Sequence, residues 1–400
     1  MGVVSRSFSD IYVKNKDDLY SLFFRKYPEF VFKNIEVLKK NEICVFVFHQ
    51  VEVELFEKQI LFLVKNGYKT LNSQELVSFL KGDIHSDGKH VVLTFDDGHI
   101  SIFTIIYPLL KKYGLTGVSF IVPGLVDPGS GLSLTLEDFW TGNANLEQIV
   151  SISCENKMCN WDEIKTMHQS GIIDFQSHTN NHNCVFISDK VVDFISPWSD
   201  YSYFSQRLYS PVFGADDKDF TADAKFLGQP IYRYAPKMSS HLRYIENPDI
   251  SRLCMEFVKR HGGRIFYEQR NWKKRLNNYL LSLTRQGIYN GSIQTEEEKF
   301  IEIRDDLVKA KKNIELKLDK DVLSLCYPWY IGCDQSVQAS KEAGYLSNHW
   351  GYLQSKKNNR IGDDPFTISR ISEKYLLRLP GKNNQNLSTI IKNQISDVIK

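Results

Sequence analysis

Short apolar runs rich in β-branched and aromatic residues alternate with helical segments along much of this 400-residue chain. Runs of this kind occupy residues 43–48, 91–95, 118–122 and 172–176. Segments with helical spacing of apolar residues, several of them ended by a glycine, separate the runs. Strands that alternate with helices form a parallel sheet covered by helices, so the sequence predicts an α/β fold.

The alternation stops after about residue 190 and resumes with a charged helix over residues 296–318. The intervening residues 190–294 are rich in Tyr, Phe and Trp, whereas disordered segments are poor in aromatic residues. We therefore expect a structured, aromatic-rich cap inserted into a βα scaffold. The predicted organisation is an N-terminal helical extension (1–40), the scaffold (41–189 and 295–380), the inserted cap (190–294) and a C-terminal amphipathic helix (381–400).

The composition excludes several functional classes. The formal net charge of +2 gives no electrostatic footprint for nucleic acid, so we expect no nucleic-acid partner. The sequence has no uncharged apolar run of about 18 residues, the length that crosses a membrane. The N-terminus lacks the pattern of a signal peptide, and the seven cysteines are scattered. These features lead us to expect a cytoplasmic protein.

Chemistry-bearing residues follow three of the predicted strands. Asp96 and Asp97 come directly after residues 91–95, and the pair His178 and His182 follows residues 172–176. The segment Cys326-Tyr-Pro-Trp-Tyr330 ends a predicted strand over residues 322–326. Active sites of parallel α/β folds form at the carboxyl ends of their strands, so we expect these residues to share a site.

Two adjacent carboxylates repel each other unless a cation intervenes. A cation that takes Asp97 as ligand, together with the two histidines, gives a two-histidine, one-carboxylate site with open positions, and leaves Asp96 as a base. Taken separately, Asp-Asp-Gly is also an ordinary turn signal, and one histidine pair is compatible with chance. Both features in this order at strand ends indicate a metal site more specifically.

The segments Thr94-Phe-Asp-Asp-Gly98 and His178-Thr-Asn-Asn-His182 resemble the first two motifs of the polysaccharide deacetylase family, also called NodB homology or carbohydrate esterase family 4. The resemblance implies a distorted (β/α) barrel and a divalent metal, usually zinc. It implies Asp96 as the catalytic base and Asp97, His178 and His182 as metal ligands. The implied reaction removes an N-acetyl group from an amino sugar in a polysaccharide, a lipopolysaccharide or an activated-sugar precursor.

Cys326-Tyr-Pro-Trp329 resembles the third motif of the family. By this resemblance the backbone N–H of Tyr327 serves the oxyanion, while Pro328 and Trp329 line the substrate groove. We also expect His49, at the end of the first strand, to line the floor of the pocket, with packing as the alternative.

Two departures from the family pattern stand out. The third motif often begins with an arginine, where this chain has Cys326, and Arg370 is a candidate for the missing charge. The family's general acid is a late histidine in a Leu-x-His context, which this chain lacks. His349 is the first candidate for that catalytic role and His241 the second, and packing or surface histidines are the alternative for both.

A basic and aromatic segment over residues 256–275 has two interpretations. A solvated helical face is favoured, and the alternative is a contact with the anionic carrier of a lipid- or nucleotide-linked sugar, or with a membrane surface. The activity has alternatives too: a glycan-binding pseudoenzyme, or a deformylase or O-deacetylase acting on a related sugar. The expected partner in every case is a carbohydrate.

Overall fold

The computed structural model describes residues 20–155, 157–197, 208–209, 226–288 and 291–392. The chain divides into two compact units. We call residues 1–179, 310–330 and 344–400 the barrel unit, and residues 180–309 and 331–343 the inserted unit. The inserted unit therefore begins earlier and ends later than the predicted cap, because a strand starting at Cys184 and part of the helix Glu296–Leu318 belong to it.

The strands are, in chain order, β1 (Glu42–Phe48), β2 (Lys69–Thr70), β3 (His90–Asp97), β4 (Gly117–Ile121), β5 (Ile173–Ser177), β6 (Cys184–Phe194), β7 (Leu208–Tyr209), β8 (Pro230–Pro236), β9 (Tyr244–Glu246), β10 (Gly291–Ile293), β11 (Ser324–Cys326), β12 (Ser347–His349), β13 (Asn359–Arg360) and β14 (Ile371–Ser372).

The α-helices are α1 (Glu29–Phe32), α2 (Val53–Lys65), α3 (Ser73–Lys81), α4 (Tyr107–Tyr113), α5 (Leu136–Thr141), α6 (Leu146–Ser153), α7 (Trp161–Gln169), α8 (Pro248–Arg260), α9 (Trp272–Arg285), α10 (Glu296–Leu318) and α11 (Asp334–Glu342). The predicted helix over residues 296–318 agrees with α10. A π-helical turn, Ile102–Ile106, leads into α4.

The sheet of the barrel unit curls until its two edges are joined by one segment. Its strands lie in the order β12-β11-β5-β4-β3-β1, all parallel, and β13 adds to β1 in antiparallel orientation. Residues 368–372 connect the edges, because Ile368 pairs with His349 of β12 and β14 pairs in parallel with residues 46–47 of β1. The result is a distorted (β/α) barrel, as predicted. We call residues 368–372 the closing segment.

Burial on both faces explains the apolar strand sequences. Every residue of β1 and β4 is buried, as is all of β3 after its first residue. Parallel strands covered on both sides read as continuous apolar runs, which is the pattern in the sequence. Predicted helix starts are present as well: Asn72 with Glu75 and Asn160 with Glu163 form capping boxes at α3 and α7.

The inserted unit contains the sheet β7-β6-β8, the pair β9-β10 and the helices α8 and α9. Within its basic and aromatic segment, Lys273 pairs with Asp193 at 2.9 Å, and Arg275 lies over the rings of Phe257 and Phe266. These two cations therefore already have partners inside the unit.

The terminal predictions fall partly outside the described residues, which exclude 1–19 and 393–400. The described part of the predicted N-terminal extension, residues 20–40, contains α1, and near the other end of the chain a helix begins at residue 387. Among the residues that the structure describes, no helix is both long enough and apolar enough to span a bilayer.

Candidate metal and catalytic centre

A sharp turn at the end of β3 presents two carboxylates side by side. Asp97 has φ 75° and Gly98 has φ 86°, so two consecutive residues lie in the left-handed region. Aspartate tolerates this conformation better than most residues. At position 98 a side chain would be strained by the backbone, and its Cβ would lie 3.1 Å from Cγ2 of Ile121 on β4. The turn therefore favours the Asp97-Gly98 order seen in the sequence.

The loop after β5 carries the first histidine. The backbone N–H of His178 donates to the carbonyl of Ile121 at 2.8 Å, which continues the sheet past the strand end. Its ring Nδ1 lies 2.9 Å from the carbonyl oxygen of Cys326. A carbonyl only accepts, so Nδ1 carries the proton and Nε2, 3.4 Å from Oδ1 of Asp97, is the atom available to a metal.

The three predicted ligands come together. One ligand atom from each of Asp97, His178 and His182 lies within 4.8 Å of the others, and the two histidines are buried. Two imidazoles and one carboxylate suit zinc and other first-row divalent ions. The donor set thus fits the metal that the sequence predicts, and the assignment of the three residues as ligands remains a prediction.

Arg370 of the closing segment supplies the charge that the third motif lacks. Its Nη1 and Nη2 donate to Oδ1 and Oδ2 of Asp96 at 2.6 Å and 2.8 Å. Nη1 also donates to Thr94 Oγ1, and Nε donates to the Trp350 carbonyl. The fork-to-fork geometry holds the carboxylate in one orientation. The prediction that Arg370 replaces the missing arginine is confirmed by this ion pair.

The Asp96 carboxyl is buried, with 1% of its surface exposed. Burial alone raises the pKa of Asp96, but the charge of Arg370 outweighs it and, with smaller contributions from His178 and His49, holds the pKa well below its usual range. Asp96 is therefore ionised throughout the neutral range. Arg370 occupies two of the roughly four lone-pair directions of a carboxylate, so others remain for a water or substrate.

Cys326 occupies the position of the missing arginine. Its Sγ lies 3.7 Å from Oδ2 of Asp96, and burial raises the pKa of its thiol, so it adds no charge. The assignment of the next residue, Tyr327, as oxyanion donor is wrong in this structure. The backbone N–H of Tyr327 donates to the carbonyl of His349 at 3.1 Å, because β11 and β12 pair there.

The candidate general acid His349 is fully buried on β12, with its ring 4.7 Å from that of Phe120. Neither ring nitrogen has a hydrogen-bond partner among the described residues, and burial lowers the pKa of His349 well below its usual value. A neutral, enclosed imidazole does not fit a proton donor that must reach a substrate. The second candidate, His241, is exposed and lies in the inserted unit.

The other predicted groove residues divide between interior and surface. Pro328 is buried, whereas Trp329 is half-buried in a left-handed conformation with φ 50°. His49 is exposed, and its ring lies 6.2 Å from that of Tyr330. His49 and Trp329 are thus accessible to a substrate, while His49 does not form a buried floor.

Asp306 on α10 supports the histidine loop, a role that the sequence did not reveal. Its Oδ2 accepts from the backbone N–H of Asn180 at 3.0 Å, and its Oδ1 lies 3.3 Å from Nζ of Lys237. Thr179 and His182, on either side of Asn180, have φ of 65° and 53°. Residues other than glycine are strained in the left-handed region, and they persist there only where surrounding contacts hold the backbone. A helix crowded with acidic residues gives no signal that singles out Asp306.

We expect Asp306→Ala to weaken zinc binding by about 10- to 100-fold, the usual effect of losing a group that orients metal ligands. The matched control is Asp305→Ala, whose exposed carboxylate pairs with Arg304. Competition with a chromophoric zinc chelator measures both affinities. Equal zinc affinity in the two variants would contradict the supporting role.

Comparison with known proteins agrees with this geometry. The family model described as polysaccharide deacetylase matches residues 83–229, a segment that contains both aspartates and both histidines. The chain is 39% identical over 67 residues to YxkH of Bacillus subtilis (strain 168). The aligned segment covers 17% of this chain and 24% of that protein.

Two further relatives are named poly-β-1,6-N-acetyl-D-glucosamine N-deacetylase. The Escherichia coli (strain K12) protein is 22% identical over 40% of this chain and 22% of its own length. The Staphylococcus aureus (strain MSSA476) protein is 28% identical over 34% of this chain and 39% of its own length. The chain thus spans well under half of each of these relatives.

Among solved structures, a de-N-acetylase from Aggregatibacter actinomycetemcomitans has the same fold, with a TM-score of 0.50 and 18% identity over 88% of this chain and all of that one. This likeness agrees with the distorted (β/α) barrel described above.

Proposed function

We propose that this member of the polysaccharide deacetylase family is a zinc-dependent hydrolase that removes N-acetyl groups from hexosamine residues of a glycan. One observation carries the proposal: an ionised, Arg370-paired Asp96 next to the cluster formed by Asp97, His178 and His182. The named activity of the relatives supports an N-acetylglucosamine polymer as the substrate to examine first.

In this mechanism each residue has a separate task. Asp97, His178 and His182 would hold the metal, and the Cys326 carbonyl fixes the ring of His178. A divalent ion at this position would supply Lewis-acid activation of the amide carbonyl and of the attacking water. Asp96 accepts the proton of that water, while Arg370 holds its carboxylate ionised and oriented.

The ion pair also bears on the pseudoenzyme alternative. That alternative rested partly on the absence of the arginine of the third motif, and Arg370 provides an equivalent charge from another part of the chain. An active enzyme is therefore the better supported proposal.

The test is acetate release from β-1,6- and β-1,4-linked N-acetylglucosamine oligomers, with O-acetylated and N-formylated sugars in parallel. We expect release from an N-acetylated oligomer, loss of release after chelation, and recovery with a single zinc ion per chain. Oligomer binding without acetate release from the zinc-loaded protein would favour the pseudoenzyme. Faster release from the ester or the formyl sugar would reassign the acyl group.

A further inference from the structure

A small recess in the inserted unit is lined mainly by cationic and polar side chains. Lys299 and Glu302 come from α10, and Lys237, His241 and Arg243 come from the segment that follows β8. Gln294, Val185 and Ile303 complete the lining.

The carboxylates at the recess are already engaged. Oε1 of Glu302 lies 3.2 Å from Nη1 of Arg243 and 3.4 Å from Nζ of Lys237, and its Oε2 accepts from Gln294 at 2.7 Å. Burial raises the pKa of Glu302, but Lys237 and Arg243 outweigh it and hold the pKa below its usual value. The second carboxylate, Asp306, contacts Lys237 and the loop at Asn180. Both carboxylates are thus committed to other partners.

Lys299 has no such partner. Only 4% of its surface is exposed, and within the described ranges its ammonium makes no ion pair or hydrogen bond. An ammonium group has three donors, and those of Lys299 are available at the recess. Of the three cations that line the recess, Lys237 and Arg243 pair with Glu302. Lys299 is the cation of this lining that is left without an ion pair among the described residues.

We propose that this recess binds a single oxyanion group, a phosphate or a carboxylate, through Lys299. The side chains that meet at the recess, rather than its size, support a single small anion: three cations and one paired carboxylate line it. A compact ammonium suits a point contact with an oxyanion, and the exposed His241 stands at the same recess. The group is either a free anion or a substituent on a sugar.

The experiment titrates inorganic phosphate and acetate into the zinc-loaded full chain by calorimetry, at constant ionic strength set with chloride. We expect saturable binding of at least one of the two anions. Lys299→Met is expected to weaken it about 10-fold or more, the loss of one charged hydrogen bond, and Lys299→Arg to retain it. Lys309→Met, an exposed position on the same helix, is the matched control and should bind like the wild type.

Two readings keep the test independent of folding and of the deacetylase proposal. Lys299→Met breaks no ion pair and keeps an unbranched side chain in the buried position, so its melting temperature without anion should match that of the wild type. Anion binding is measured without turnover, so it can fail while acetate release persists, or the reverse. Anion binding that is equal in all four proteins, or absent from the wild type, would overturn the proposal.

Sugar-borne and free anions are separated by a third probe, N-acetylglucosamine 6-phosphate. Tighter binding of this probe than of inorganic phosphate, again dependent on Lys299, would identify a substituent of the sugar as the ligand. Equal affinity would identify the free ion. A sugar phosphate that binds equally well to Lys299→Met would contradict a role for this recess.

Discussion

Asp96→Asn is expected to lower kcat by about 10²- to 10⁴-fold, the range for losing a positioned base, while zinc affinity stays close to that of the wild type. Asparagine has nearly the same shape as aspartate but cannot accept the proton. Asp96 lies outside the cluster of Asp97, His178 and His182, so the metal ligands remain. Acetate release and bound zinc, measured on the same preparation, check both parts.

The matched variant is Asp97→Asn, which should lose zinc as well as activity because it removes a ligand. Asp96→Asn also leaves the buried guanidinium of Arg370 without its counter-charge, so a lower melting temperature is expected. Activity must therefore be measured well below the melting temperature of the variant. Turnover by Asp96→Asn within about twofold of the wild type would exclude Asp96 as the base.

Arg370→Met should change both stability and the pH profile. Removing one partner of a buried pair costs about 3–5 kcal/mol, because the other charge stays buried without compensation. The surface pair of Arg304 with Asp305 provides the control: both side chains are more than a third exposed, so Arg304→Met should cost at most about 1 kcal/mol. Urea unfolding at neutral pH measures both changes.

The pH dependence of Arg370→Met follows from the opposing influences on Asp96. In the wild type the pKa of Asp96 is depressed, so the pair contributes stability above about pH 4, the pKa of an unfolded aspartate, and that stability is lost on acidification. Without Arg370, burial raises the pKa of Asp96 instead. The variant should then lose stability relative to the wild type as the pH rises from about 4, when Asp96 ionises.

Activity should follow the same titration. The acidic limb of kcat/KM should move to higher pH in Arg370→Met, because Asp96 must lose a proton before it acts as a base. Arg370→Lys keeps the charge without the bidentate geometry, so it should restore the position of the limb better than the rate. An acidic limb at the same pH in wild type and Arg370→Met would show that Arg370 does not control Asp96.

The sequence predicted the parts of the centre that depend on neighbouring residues. The apolar runs before Asp96 and His178 indicated strands, and residues after parallel strands gather at one edge of the sheet. The turn at Asp97 and Gly98 follows from the conformational preferences of those two residues. The local sequence pattern was therefore sufficient to predict that these side chains lie close together.

Other parts depend on pairing between distant segments. Tyr327 was placed correctly at a strand end, but the register of β11 against β12 decides that its N–H is consumed by His349. The same short strand directs the His349 ring into the interior beside Phe120. The Arg370–Asp96 pair was only suggested by sequence, since 274 positions separate the two residues. The register between two strands and the direction of their side chains cannot be predicted from the sequence of one strand alone.

The closing segment also determines when a newly made chain becomes competent. At synthesis rates of about 5–20 residues per second, roughly 15–55 s pass between the incorporation of Asp96 and that of Arg370, 274 positions later. For most of that interval β12 and β14 have not been synthesised, so β1 lies at an open edge of the sheet and the Asp96 carboxylate has no guanidinium partner. Unjoined edges are the surfaces on which nascent strands pair wrongly. Residues 368–372 thus both cover the open edge of β1 and bring Arg370 to the carboxylate of Asp96.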